Sequence, residues 1–157
     1  MSYILRSAYD TDHKEIVRII YEEYADQYSV DLIDETFKHN FTGNDSFINK
    51  LYICVASEGD KVLGYALARE HILTGVFELE CVIQKRSRGR GIGRGLLEFV
   101  ISESSESGCR EYVAKVDSHN MRCINMLDSL DFVMDDGPVS EKPFYVRMTL
   151  SVGSRPR

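Results

Sequence analysis

Between residues 85 and 94 the chain sets Lys85, Arg86, Arg88, Arg90 and Arg94 within ten positions, with Gly89, Gly91 and Gly93 threaded among them and Gly95 just beyond. An apolar strand pattern over residues 75–83 precedes this stretch. An apolar helical stripe, Ile92, Leu96, Leu97, Val100 and Ile101, begins within it. A helix leaves its first backbone N–H groups without intrahelical acceptors, and its dipole adds partial positive charge there. Glycines bare those amides, because no Cβ keeps a ligand away. Arginines add charge and forked donors. Such a turn suits a phosphate or a pyrophosphate.

Spacing narrows the choice. The dinucleotide fingerprint G-x-G-x-x-G fails, since it would need glycine at Arg94 or at Leu96, and the Walker pattern G-x-x-x-x-G-K-[ST] is absent. What stands instead is Arg-x-x-Gly-x-Gly, as Arg88-Gly89-Arg90-Gly91-Ile92-Gly93. A second stretch, NMRCINMLDSLDF at 120–132, carries Asn120, Ile124, Leu130 and Phe132 at set intervals. Together the two motifs resemble the GNAT superfamily of acetyl-CoA-dependent N-acyltransferases, and the resemblance covers most of the chain. Its first motif lies between the family's fourth strand and third helix; its second is similar to Asn-x-x-Ala-Ile-x-Leu-Tyr-x-x-Leu-Gly-Phe.

The resemblance implies a cofactor site and a reaction. Arg88 and the backbone around Gly89, Arg90, Gly91, Ile92, Gly93 and Arg94 would hold the pyrophosphate of acetyl-CoA. The strand end Cys81, Val82 and Ile83 would lie alongside the pantetheine arm, with a backbone N–H toward the thioester oxygen. Asn120 would contact that arm, or serve as a helix N-cap. The implied reaction is direct transfer of acetyl to a primary amine, which must shed a proton before attacking. Glu78 and Glu80 share one face of the strand that meets the thioester and are the candidate bases; His119 is a third. Many members have a leaving-group tyrosine where this chain has Leu127, so Tyr145 from the closing strand is the candidate acid. The family glycine near the helix end is Asp131. Without a dedicated acid the chain would instead be a catalytically weak coenzyme A-binding sensor or regulatory domain.

The acceptor is less sharply written. Glu22, Glu23, Asp26, Asp31, Asp34 and Glu35, with Tyr21, Tyr24 and Tyr28, would frame an acidic, tyrosine-lined cleft suited to a cationic small molecule or a peptide N-terminus. The formal charge of −6 argues against a nucleic-acid binder. Residues 1–60 carry 12 acidic and 5 basic side chains, a net of −7, and the remaining 97 carry 13 and 14, a net of +1. The basic turn is thus a local device on an acidic body. Cys54, Cys81, Cys109 and Cys123 are scattered without C-x-x-C spacing, so no metal is expected and the thiols read as reduced.

These residues need a scaffold. The patterns read as strand (residues 3–9), a helix opened by an Asp12–Glu15 capping box, a weaker helix within 30–41, and a hairpin turning at Glu58–Gly59–Asp60. The strand at 75–83 follows, then the glycine-led helix. A strand at 109–117, a helix at 120–130, a possible strand after Phe132 and a closing strand at 143–150 complete the order β-α-α-β-β-β-α-β-α-β. The expectation is an α/β (α+β) fold: a mixed, mostly antiparallel sheet with helices on both faces. One domain over 1–150 is expected, with 151–157 a loose tail. No run approaches a membrane helix and no secretory signal opens the chain, so a cytoplasmic address is expected. Homodimers are common in the resembling family.

Overall fold

The structure is a computed structural model describing residues 2–25, 48–71, 74–135 and 145–152. The weaker helix expected within 30–41 lies outside the described residues, as do Asp26, Tyr28, Asp31, Asp34 and Glu35. The chain builds β1 (Ile4–Ser7), α1 (His13–Tyr24), β2 (Ile48–Glu58), β3 (Lys61–His71), β4 (Val76–Ile83), α2 (Ile92–Ser104), β5 (Glu111–Asp117), α3 (Met121–Ser129), β6 (Val133–Asp135) and β7 (Tyr145–Ser151). β6 is the short strand expected after Phe132. All seven strands form one sheet in the order β1-β2-β3-β4-β5-β7-β6. Every neighbouring pair is antiparallel except β4 with β5, which is parallel. Ser151 closes β7, and the Val152 amide donates to Arg110 O at 2.8 Å, so the first two residues of the expected tail are held by the fold.

Alternation along the strands sorts side chains onto two faces. On one, α1 presses Ile16, Val17 and Ile19 against Val55, Tyr65, Leu67 and Val82. On the other, α2 and α3 contribute Ile92, Leu96, Leu97, Val100, Ile124 and Leu127 to a larger core with Phe77, Leu79, Tyr112, Ala114 and Val116. In β4 the odd residues face α2 and α3, and Val82 with its even-numbered partners faces α1.

The start of α1 differs from expectation. Asp12 makes no side-chain cap on its helix. Its carboxylate accepts the Tyr9 amide at 2.7 Å and both Arg6 guanidinium nitrogens, Nη1 at 2.8 Å and Nη2 at 3.0 Å. A charged two-pronged donor outcompetes a helix amide for a carboxylate. Glu15, the other half of the expected box, accepts from Arg18 Nε at 2.6 Å. The Arg6 hydrogen bonds hold the Asp12 carboxyl below its usual range, and they tie β1 to the entry of α1.

Candidate active site

The site begins where two strands part. β4 and β5 pair over three positions, Val76 with Glu111, Phe77 with Tyr112 and Glu78 with Val113. Beyond Glu78, β4 continues on β3 as far as the Gly64–Ile83 pair. β5 follows β7 to the Asp117–Tyr145 pair. A wedge therefore opens between Leu79–Ile83 and Ala114–Asp117, and it forms part of a cleft of about 900 Å³. The Gln84 amide donates to Leu63 O on β3 at 2.9 Å. Amides alternate sides along a strand, so those of Leu79, Cys81 and Ile83 face the opening. The Ile83 carbonyl, on that same side, accepts Arg88 Nε at 3.0 Å.

At the wide end of the wedge sits the glycine turn. Gly89 (φ 82°) and Gly91 (φ 79°) adopt left-handed conformations, and a Cβ on either would meet no atom within 4 Å. Gly91 is the N-cap of α2, whose first bond runs from the Gly95 amide to Gly91 O at 3.1 Å. The amides of Ile92, Gly93 and Arg94 thus belong to the turn that has no intrahelical acceptors. Gly93 has an ordinary φ, and a Cβ there would rest 3.7 Å from Ile83 Cγ1 and Met126 Sδ. Ile92 is buried and anchors the helix from below. The turn is a backbone cradle open to the outside, with the shape and polarity that a diphosphate needs.

The arginines divide. Arg88 lines the cleft, held by Ile83 O and, through Nη2, by Glu23 Oε2 of α1 at 2.5 Å. Arg90 turns aside to Glu58 Oε2 at 3.0 Å, its guanidinium 5.5 Å from the centre of the Tyr3 ring. Arg94 bonds Glu98 at 2.9 Å and the Ser129 hydroxyl at 2.5 Å. Arg90 and Arg94 therefore contribute field at the turn, and their forks are committed to the protein.

The polar candidates spread along the wedge, from Glu78 at its narrow end to Tyr145 at its wide end, where it pairs with Asp117. Glu78, Glu80, Cys81, Val82, Ile83, Asn120, His119 and Tyr145 all line the one cleft, so strands and a helix distant in sequence bring them together. Glu78 Oε1 meets Arg69 Nη2 at 2.9 Å and its Oε2 lies 4.0 Å from Lys115 Nζ. Burial pushes the Glu80 carboxyl above its usual range, opposed by the charge of Arg69 and by the neighbouring Tyr65 hydroxyl. Burial also pushes the Cys81 thiol up, which keeps it protonated and inert. Asn120 caps α3, its Oδ1 accepting the Cys123 amide at 3.2 Å. That leaves its two amide donors for another partner. His119 is exposed and lies 3.2 Å from Asp117 Oδ1. Leu127 is buried in the wall, with no proton to give.

Sequence reasoning missed Arg69, Lys115 and Arg122, which also line the cleft. Arg69 and Lys115 read as ordinary strand charges, and the strand register carries the signal. Arg122 reads as a solvated position on a helix turn. Of the residues proposed to frame the acceptor, Glu23 and Tyr24 reach the cleft.

Comparison with known proteins agrees with this geometry. A GCN5-related N-acetyltransferase from Kribbella flavida shares the fold with a TM-score of 0.79 at 23% identity, covering 96% of this chain and 98% of its own. The yncA protein of Salmonella typhimurium, solved with its cofactor acetyl-CoA, gives a TM-score of 0.77 at 21% identity over 100% of this chain and 98% of its own. A ribosomal-protein-alanine N-acetyltransferase from Brucella melitensis gives 0.75 at 20% identity, over 95% and 99%. Such identities establish the fold alone. No curated protein matches the chain by sequence. The profile of the acetyltransferase (GNAT) family matches residues 15–132. With that match over most of its length, the chain belongs to the GNAT acetyltransferase family.

Proposed function

We propose that the protein is an N-acetyltransferase that moves an acetyl group from acetyl-CoA to a primary amine by direct transfer in a ternary complex. The observation that carries the reading is the parted β4–β5 wedge, with a glycine-bared helix start at one end and a shielded carboxylate at the other. Gly89, Gly91 and the first amides of α2 would hold the pyrophosphate, with Arg88 beside them. The open edge of Cys81, Val82 and Ile83 would carry the pantetheine arm, with Asn120 opposite. Bound there, acetyl-CoA supplies an acetyl group activated as a thioester.

Glu80 takes the proton that the amine sheds as it attacks, directly or through water. A carboxylate short of solvent is a stronger base than one in bulk water, which suits this task. The amides of Leu79 and Cys81 donate to the oxygen where negative charge develops. Tyr145 gives a proton to the departing sulfur. One C–N bond forms and one C–S bond breaks; an ammonium acceptor first gives one proton to bulk water, the attacking free amine gives one to Glu80, the sulfur receives one from Tyr145, and solvent carries the proton on Glu80 back to Tyr145. Because a thiol pKa is about 8.5, a thiolate leaves tolerably even without that help. The amine approaches from the α1 side, past Glu23 and Tyr24, where a cationic small molecule or a peptide N-terminus would find opposite charge. We place this chemistry in the cytoplasm, on one domain spanned by the single sheet.

Leu127 favours a second reading, a coenzyme A-binding regulatory domain with little turnover. Acetyl-CoA titration with a melting-point readout, followed by an amine panel scored for free thiol, separates the two. Saturation at about 100 times Kd should stabilise the fold by roughly 2.7 kcal/mol. Amine-dependent thiol release supports the enzyme; binding with no release across the panel supports the regulator; no binding removes both.

A further inference from the structure

On the α1 face β3 presents Tyr65, Leu67 and Arg69, and β4 presents Glu78, Glu80 and Val82. Register sets Arg69 opposite Glu78 and Leu67 opposite Glu80. Glu80 is therefore the diagonal neighbour of Arg69, about 7–8 Å away across the ladder and within reach of a long side chain. The Arg69–Glu78 contact is 2.9 Å, and both side chains are largely shielded from solvent, at 17% and 24% exposure. Two carboxylates two positions apart on one strand face repel each other, and Glu80 also loses water to burial. A cation fixed between them resolves that conflict. Arginine fits the place better than lysine, since its fork stays charged and can serve one oxygen while its field reaches another.

We propose that Arg69, clamped across β3 and β4 by Glu78, is a positioning residue that keeps the Glu80 carboxylate charged and turned toward the cleft for proton transfer. This deepens the assignment of Glu80 as the proton acceptor and rests on it. Among the described residues, the groups that act on Glu80 besides Arg69 are Tyr65 on β3 and Glu78 on β4, and its cleft is shared by Glu23 and Tyr24 on α1, Arg88 at the glycine turn, Lys115 and Asp117 on β5, His119 beyond it, Arg122 on α3 and Tyr145 on β7. Of these, Glu78 acts against Arg69: its charge drives the Glu80 carboxyl up, while that of Arg69 draws it down. The two members of one ion pair should therefore displace the base in opposite directions. A merely structural pair would not, because losing either partner would weaken the fold in the same sense.

The experiment is the pH profile of kcat/KM for acetyl-CoA and the best amine of the panel, corrected for the free-amine fraction. It compares the native chain with R69M, R69K, E78Q and E80Q. R69M should move the acidic limb to higher pH by about one unit, roughly a tenfold loss along that limb that recovers in alkali. R69K should stay near the native midpoint, and E78Q should move the limb to lower pH. R69M activity lowered evenly at every pH, or R69M and E78Q displaced in the same direction, overturns the inference. If E80Q itself retains the limb, the assignment of Glu80 fails first. If E80Q abolishes the limb but the Arg69 variants leave it in place, only the present inference falls. Should R69M not fold, an E78Q midpoint that fails to descend is sufficient to reject it.

Discussion

Gly91 and Gly93 stand two residues apart in the same motif, and the structure gives them different reasons to be glycine. Gly91 sits at φ 79°, where an L side chain costs about 1–2 kcal/mol, and its missing Cβ faces open space. Gly93 has ordinary helical backbone and room for a methyl group against Ile83 and Met126. The expected consequence separates the two. G91V should lose at least roughly tenfold in acetyl-CoA affinity, as a branched side chain enters the anion's place, and it should melt lower. G93A should bind within a few-fold of the native chain and gain up to about 1 kcal/mol, because alanine is the better helix former. Titration calorimetry and thermal melts on both variants check this. Equal affinity losses would mean that the ligand approaches the backbone closely at Gly93 as well.

At the scale of elements, the end of α3 shows how a motif departure is accommodated. The Phe132 amide donates to Leu127 O at 3.0 Å and the Asp131 amide to Asp128 O at 3.0 Å. These are the two bonds of a Schellman turn, with Phe132 and Leu127 both buried against the core beneath it. The turn needs a left-handed residue at Asp131, which adopts φ 71°. Aspartate tolerates that conformation better than most side chains, yet glycine adopts it without a Cβ penalty. D131G should therefore stabilise the protein by about 0.5–1 kcal/mol, in line with the strain removed less the extra freedom of an unfolded glycine. Urea unfolding measures it, and because Asp131 itself lies outside the cleft lining, turnover should not change. A neutral or negative effect would show that the Asp131 side chain contributes an interaction offsetting its strain.

For the molecule as a whole, what could be read in advance follows from range. Local signals were legible: the alternation of β4, the glycine-led start of α2, the Asn120 cap of α3 and the two-residue turn at Gly59–Asp60 all arise within a few residues. The role of Asp12 is not legible locally, because the partner of its carboxylate, Arg6, comes from another element. Arg69 and Lys115 were invisible because strand register alone brings them to Glu78. The wedge itself is a whole-sheet property, made where β4 follows β3 and β5 follows β7. That arrangement carries a stability cost that can be measured. Burial holds the folded Glu80 carboxyl above its ordinary value. A carboxyl raised in this way favours folding when protonated, so stability falls as pH climbs from the ordinary carboxylate range, near 4, through the folded value. E80Q removes the group that must ionise. It should match the native protein below about pH 4 and exceed it at neutral pH, each pKa unit of displacement being worth about 1.4 kcal/mol. The same substitution should abolish most amine-dependent turnover, a trade of stability against activity. Melting curves of the two proteins across pH decide the matter: a native protein as stable as E80Q, or more so, at neutral pH would mean that Arg69 and Tyr65 fully compensate the buried charge.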